Sequence, residues 1–225
     1  MAILIIGSGA REHAIIKKLK KDNNSLSLYC IGTNKNPGII ELTEKLVLYK
    51  NDDLVIDFCY RNKITMVIIG PEKFLYSGLV DLLEKNNINC IGPNKNLARI
   101  ETNKNYARKL LHNNSNLRYY NPVFKLFSSL NTITEIKSYM EFCKSLDFNY
   151  VIKPTGLCSG KGVWVSKIHF NSDFEGLEYA LEMIENNHSI LIEEKLIGEE
   201  FTLMSYTDGF NFSHMPIVKD FKLLN

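Results

Sequence analysis

The sequence predicts an α/β protein, a Rossmann-like parallel-sheet domain followed by an α+β unit. Three observations carry that prediction. Four short apolar runs, at residues 3–6, 26–31, 66–69 and 88–91, each end at a glycine: Gly7, Gly32, Gly70 and Gly92. Amphipathic segments separate these runs, and apolar strands alternating with helices make a parallel sheet covered on both faces. From about residue 100 the pattern changes, and the stretch VIKPTGLCSGKGVWV (residues 151–165) places a glycine-rich loop between two apolar, β-branched runs.

Taken in order, residues 3–6 form the first strand and 10–20 the first helix. A second strand spans 26–31, a helix 54–60, a strand 66–69, a helix 79–83 and a strand 88–91. The glycine turns lie at the carboxyl edge of the sheet, where open α/β folds bind ligands. In the second unit a helix spans 102–111 with Thr102 as its N-cap, and YYNPVF around Pro122 is extended. Helix 133–144, strands 150–153 and 163–166, a helix over 174–185 with Asp173 near its start, and strand 190–193 follow. Residues 201–206 and 215–218 read as further strands. The domains are then 1–100 and 101–225, the second split into subdomains at about 119–190 and 191–225.

Composition narrows the class. A chain of 225 residues, 45% hydrophobic and 23% charged, buries a substantial core. A net charge of +2 with scattered lysines argues against a general nucleic-acid surface. No apolar run approaches the roughly 20 residues of a membrane span, and MAILIIGSGA lacks the basic leader of a signal peptide, so a cytoplasmic protein is expected. The five cysteines (Cys30, Cys59, Cys90, Cys143, Cys158) are widely spaced with no C-x-x-C pair. They read as reduced, mostly buried thiols, and zinc is not expected.

The first loop, IIGSGAREH, places Gly7 and Gly9 between a strand and a helix, as a dinucleotide fingerprint does. Two details argue against NAD. The third glycine position holds Glu12, and Gly32-Thr33-Asn34 stands where a ribose-binding acid belongs. Anion binding survives, because free backbone N–H groups and the helix dipole remain and Arg11 adds a fork suited to phosphate. The plain alternative is a tight turn with Arg11 and Glu12 in solvent, and His13 reads as a surface or core histidine. Gly70-Pro71-Glu72 lies at the same edge, where Glu72 is a candidate for binding a hydroxyl or an amine. Gly92-Pro93 reads as a strand-ending turn.

The second loop, Gly156-Leu157-Cys158-Ser159-Gly160-Lys161-Gly162, lacks the Ser or Thr that follows lysine in a Walker A motif and leads into a strand. It reads as a hairpin flap over phosphates, since several glycines let bare N–H groups approach oxygen. Lys153, at the end of the preceding strand, emerges beside it. About forty residues later ILIEEKLIGEEFT gives a strand ending in Glu193-Glu194, then Leu196 and Gly198-Glu199-Glu200.

Strand-Lys, glycine flap, and strand-Glu-x-x-Leu-x-x-x-Glu resemble the ATP-grasp superfamily. GSGAREH, IIGPE, IGPNKNLARIETNK, VIKPTGLCSGKGV, LIEEKLIGEEFT and MPIVKD, in that order and spacing, resemble the phosphoribosylamine–glycine ligases (glycinamide ribonucleotide synthetases). The resemblance covers essentially the whole chain but about the amino-terminal half of the usual enzyme. It implies a pre-ATP-grasp domain followed by an incomplete ATP-grasp domain. It also implies a reaction in which ATP phosphorylates the glycine carboxylate and the amine of 5-phosphoribosylamine attacks the acyl phosphate. By resemblance, Lys104, Lys153, Gly156, Ser159, Gly160, Lys161 and Gly162 bind ATP phosphates. Glu193, Glu194 and the backbone near Leu196 line the adenine slot, and Glu200 accepts ribose hydroxyls. Gly7, Gly9, Arg11, Glu12, Pro71, Glu72 and Asp220 bind the ribosylamine substrate. No catalytic residue is singled out. Magnesium or manganese is expected of the family, with its ligands missing from this chain.

The sequence departs from the family pattern in three places. Pro154-Thr155 follow Lys153 where an acid is usual, Ala10 stands where glycine is common, and Phe221-Lys222-Leu223 replace His-Lys-Arg after Asp220. The resulting expectation is a truncated, partial or decaying ligase of purine biosynthesis, or a fragment that needs a second piece, for which a separate chain supplying the carboxyl-terminal half is one candidate. In that form the apolar strands at 201–206 and 215–218 would be exposed. The alternative is a non-catalytic nucleotide- or phosphate-binding module, a relic of such a ligase.

Overall fold

The computed structural model describes residues 1–157, 162–186 and 188–219. Its first unit holds β1 (Ala2–Ile6), α1 (Ala10–Asp22), β2 (Ser27–Gly32), α2 (Pro37–Leu42), β3 (Lys45–Leu48) and α3 (Asp52–Arg61). β4 (Met66–Ile69), α4 (Glu72–Ser77), α5 (Leu79–Lys85) and β5 (Cys90–Ile91) complete it. The five strands are parallel in the order β3-β2-β1-β4-β5. Alternation along β1 sends Ile3 and Ile5 to one face, against Ile16, Leu28 and Ile39, and Leu4 and Ile6 to the other, against Val55, Phe74 and Leu79. Both faces are therefore buried, as the continuous apolar runs require. The chain winds outward from β1 to β3 and then crosses to β4, so β1 and β4 flank the topological switch point where such sheets open a crevice.

In this unit three elements, α2, β3 and α4, stand where no helix or strand is expected from the sequence. Asn36-Pro37-Gly38 starts a helix: Asn36 accepts from the N–H groups of Gly38 (3.1 Å) and Ile39 (3.4 Å), with Pro37 at the first helical position. β3 is an edge strand with no fully buried residue, so it carries little hydrophobic signal. The last strand of the sheet is shorter than expected, Cys90–Ile91 rather than 88–91.

The second unit runs through α6 (Lys95–Thr102), α7 (Lys104–Asn113), a 3-10 turn at Arg118–Tyr120, β6 (Phe124–Phe127), α8 (Ile133–Ser145) and β7 (Tyr150–Pro154). β8 (Trp164–Val165), α9 (Asp173–Glu185) and β9 (Ile190–Glu194) follow. Thr102 is not an N-cap. It is the buried last residue of α6, and extended Asn103 caps α7 by accepting from the Tyr106 N–H at 2.9 Å. The strands form an antiparallel sheet in the order β6-β9-β7-β8, and the glycine loop joins β7 to β8 as expected. Tyr150, Ile152, Ile190 and Ile192 pack under α8 and α9 against Tyr139, Cys143, Leu177 and Met183. Strand alternation turns Lys153 and Glu193 to the opposite face.

Beyond β9, β10 (Phe201–Thr202) pairs with β13 (Val218–Lys219), and β11 (Ser205–Thr207) with β12 (Phe212–His214). The single strand expected at 201–206 is broken at Leu203-Met204, and the strand expected at 215–218 begins at Val218. Every residue from Leu196 to Lys219 is exposed, with Ile197 and Phe210 more than nine-tenths so. Cys30, Cys59 and Cys143 are buried free thiols and Cys90 is half-buried, while Cys158 lies outside the described residues. Burial pushes the first three thiols up to about 12, so none is a thiolate nucleophile at neutral pH. Among the described residues no helix is long and apolar enough to cross a membrane.

Candidate functional site

A cleft of about 820 Å³ opens between the switch point of the parallel sheet and the exposed-side face of β7 and β9. Arg11, Pro71, Glu72 and Lys73 line it from the first unit, and Lys104, Arg108, Lys153 and Glu193 from the second. Leu157 and Val163, at the two ends of the glycine loop, close its rim.

The first wall is built around Glu12. Gly9, extended at φ −83°, caps α1, and its N–H donates to Glu12 Oε2 at 2.6 Å. The Glu12 side chain is 4% exposed and fills the space between the loop and Gly70. A Cβ on Gly70 would stand 2.3 Å from Glu12 Oε1, and one on Gly7 would stand 2.7 Å from Pro71 Cδ at a φ of +114°. These glycines make room for a carboxylate and a proline rather than for a ligand. The plain alternative, with Arg11 and Glu12 both in solvent, holds for Arg11 alone. Ser8 hydrogen-bonds Asn34, and the Asn36 amide donates to the Ser8 carbonyl at 3.1 Å. The Gly32-Thr33-Asn34 turn is thus locked onto the first loop, on the ground a dinucleotide ribose would occupy. Arg11 meets Glu72 at 3.5 Å with both side chains open to solvent. Exposed pairs of this kind contribute at most about 1 kcal/mol. Both groups can therefore turn to a ligand at little cost.

The second wall centres on Glu193, whose side chain is 4% exposed. Arg108 reaches it from α7 with both arms of its guanidinium, Nε to Oε2 at 2.7 Å and Nη2 to Oε1 at 3.2 Å. Lys153 donates to Oε1 from β7. Burial alone would raise this carboxyl, but the Arg108 hydrogen bonds and the Lys153 charge outweigh it and hold the group below the ordinary carboxylate range. Two cations on one carboxylate leave this wall with a net positive charge. Lys104 ties the helix to the loop: its N–H donates to the Thr155 carbonyl at 2.9 Å, and its Nζ to the Gly156 carbonyl at 2.8 Å. The base of the flap is thereby fixed to the start of α7.

The other expected positions fall as follows. Glu194 alternates to the other side of β9 and accepts from the Val123 N–H at 3.3 Å. Leu196 and Glu200 are exposed beyond β9, outside the walls of the cleft. Gly156 has open space around it, and Gly162, at φ +85°, turns beside Pro154. Ser159, Gly160, Lys161 and Asp220 lie outside the described residues. Sequence reasoning missed Arg108 and Lys73. Arg108 was findable, because it stands four residues after Lys104 and so shares its helix face.

Two family models match the chain end to end, "Phosphoribosylglycinamide synthetase, N domain" over residues 1–101 and "Phosphoribosylglycinamide synthetase, ATP-grasp (A) domain" over residues 102–225. The phosphoribosylamine–glycine ligase of Methanobrevibacter smithii is 38% identical over 228 residues, covering 98% of this chain and 49% of that protein. That of Methanocaldococcus jannaschii is 40% identical over 229 residues, covering 98% and 50%. Among solved structures, the phosphoribosylamine–glycine ligase of Thermotoga maritima superposes with a TM-score of 0.72 at 24% identity, over 99% of this chain and 51% of that one. N5-carboxyaminoimidazole synthetase from Staphylococcus aureus complexed with ADP gives 0.69 at 13% identity, over 99% and 54%. Those two likenesses show the fold. The chain spans about half the length of the curated relatives it matches.

Proposed function

The chain belongs to the phosphoribosylglycinamide synthetase family, and on that premise we propose that it takes part in the ATP-dependent ligation of glycine to 5-phosphoribosylamine, giving glycinamide ribonucleotide in cytoplasmic purine biosynthesis. The observation that carries this reading is the cleft. It sets Arg11 and Glu72 at the switch point of one sheet opposite Lys104, Lys153 and Glu193 around the other. An anionic sugar phosphate and a polyphosphate can meet there, each held by cations of its own wall.

In this reading Arg11, Pro71 and Glu72 hold the phosphoribosylamine, while Gly7 and Gly9 shape the loop, their N–H groups being given to the Ile31 carbonyl (2.8 Å) and to Glu12. Arg11 takes the phosphate and Glu72 the amine or a hydroxyl, while Glu12 acts by shaping the loop. Lys153, Lys104 and the 156–162 loop hold the triphosphate. Glu193 faces the nucleotide from this wall, whereas Glu194 lies across β9 and Leu196 and Glu200 lie outside the walls of the cleft, so the adenine and ribose roles expected of those three do not enter the proposal. A glycine carboxylate oxygen attacks the γ-phosphorus, ADP leaves, and the amine then displaces phosphate from the acyl carbon to form the amide. The lysines serve the first step by placing positive charge where the phosphoryl group moves, since such transfer is mainly positioning and electrostatics. The resemblance implies magnesium. Among the described residues, however, no group of three or more His, Cys, Asp or Glu side chains is placed to hold a metal ion, so no step is routed through one. The division near residue 100 belongs to the same proposal, with the sugar-phosphate wall before it and the nucleotide wall after it. So does supply of the remaining half of the family's length by a further segment or a separate chain.

The test joins this chain with the carboxyl-terminal half of the M. jannaschii relative and measures ADP release with ATP, magnesium, glycine and freshly generated phosphoribosylamine. Release that needs both glycine and the amine, and is lost in Lys153→Ala, is expected. ATP binding without any glycine-dependent release would leave a non-catalytic nucleotide-binding module instead.

A further inference from the structure

We infer that Arg108 is a positioning residue: it keeps Glu193 paired, so that Lys153 is free to leave that carboxylate for an incoming polyphosphate. The inference rests on the reading of the cleft as a polyphosphate site.

The geometry shows an unequal sharing of one anion. Glu193 is 4% exposed, whereas Arg108 and Lys153 are 26% and 24% exposed and both reach the cleft. Arg108 binds both carboxylate oxygens through a rigid fork, while Lys153 binds one of them through a single ammonium on a flexible stem. The cheaper bond to give up is that of Lys153. Without Arg108, its departure would leave a buried carboxylate with no cation, a state that low-dielectric surroundings penalise strongly. With Arg108 in place, Glu193 stays neutralised whether Lys153 is present or absent.

The position of Arg108 suits this task. The Asn121 amide donates to its carbonyl at 3.0 Å, and four residues earlier Lys104 anchors the same helix to the flap. The helix is therefore fixed at both ends of the contact, and the guanidinium does not follow the anion. Lys153 is the movable charge, lying on β7 just before the base of the glycine loop at Thr155 and Gly156. One carboxylate thus has a permanent cation and a transferable one.

The experiment titrates the 225-residue chain with inorganic tripolyphosphate and with ATP by calorimetry, in the unchanged chain, Arg108→Gln, Arg108→Lys, Glu193→Gln and the Arg108→Gln/Glu193→Gln double variant. Tripolyphosphate carries no adenine, so any contact of Glu193 with the base does not enter. Arg108→Gln should weaken tripolyphosphate about tenfold, because Lys153 is then held by the carboxylate alone. Arg108→Lys should stay within about threefold of the unchanged chain. Adding Glu193→Gln to Arg108→Gln should restore binding to within about threefold, since the anion that holds Lys153 is gone. A merely structural role would give no such restoration. Equal binding by Arg108→Gln and the unchanged chain would overturn the inference. So would a double variant as weak as the single one, which would mean that Arg108 touches the ligand itself. Should Arg108→Gln not fold, Glu193→Gln alone decides: it must bind tripolyphosphate at least as tightly as the unchanged chain, and weaker binding overturns the inference. If the unchanged chain binds neither tripolyphosphate nor ATP, the reading of the cleft falls, and this inference with it.

Discussion

Replacing Glu193 by Gln should destabilise the second unit by about 2 kcal/mol at neutral pH. Gln keeps the shape and one acceptor but removes the charge that Arg108 and Lys153 share. Breaking a fully buried ion pair costs about 3–5 kcal/mol. Here the two abandoned cations are each about a quarter exposed and remain partly hydrated, which keeps the loss below that range. The pH dependence has a definite sign. The folded carboxyl sits below its ordinary value, so its contribution is fully present above the unfolded value of about 4.3 and is lost as pH falls through the folded one. The gap between the unchanged chain and Glu193→Gln should therefore be full near pH 7 and narrow below about pH 4.3. Trp164, the single tryptophan, lies on β8 next to β7 and stacks on Tyr179 with ring centroids 3.7 Å apart, so its fluorescence follows unfolding of this sheet. Urea unfolding of both chains between pH 3 and 8 gives the comparison. A difference under about 0.5 kcal/mol at pH 7, or one that widens with acid, would refute the reasoning.

Three further outcomes are expected. Lys153→Ala should weaken ATP binding by about 1.5–3 kcal/mol in calorimetry, the worth of a charged hydrogen bond; equal affinities would remove the phosphate role from Lys153. Gly70→Ala should cost about 2–3 kcal/mol in urea unfolding, because its Cβ would fall 2.3 Å from the buried Glu12 carboxylate; unchanged stability would show that this clamp yields freely. NADH should not saturate the chain at micromolar concentration, because the turn after β2 is hydrogen-bonded onto the first loop; enhanced nicotinamide fluorescence would contradict that packing.

The parallel sheet was legible because its central strands are continuous apolar runs, and the β7–β8 hairpin because its glycines stand between two β-branched stretches. The meeting of Lys153 and Glu193 was half legible. Their strands were readable, and pairing of Val151 with Glu193 and Lys153 with Leu191 brings the two side chains together on one face. Nothing local in either strand announces that register. α2 and β3 were hidden because a Pro-Gly start imitates a turn and an edge strand lacks a buried face. Thr102 was misread because two good caps stand side by side, and the choice between Thr102 and Asn103 is made by burial of Thr102 against its surroundings. The burial of Glu12 was invisible for a similar reason. What makes room for it is Gly70, in the turn just after β4, which meets the first loop only in three dimensions.

The central claim is that one cleft holds a sugar phosphate on its first wall and a nucleotide on its second. Calorimetry of the unchanged chain, Arg11→Ala and Lys153→Ala with ATP and with ribose 5-phosphate, each alone and in the presence of the other, tests it most directly. The account predicts that both ligands bind together, that Arg11→Ala loses ribose 5-phosphate and keeps ATP, and that Lys153→Ala does the reverse. Competition between the two ligands, or loss of both in either variant, would contradict it.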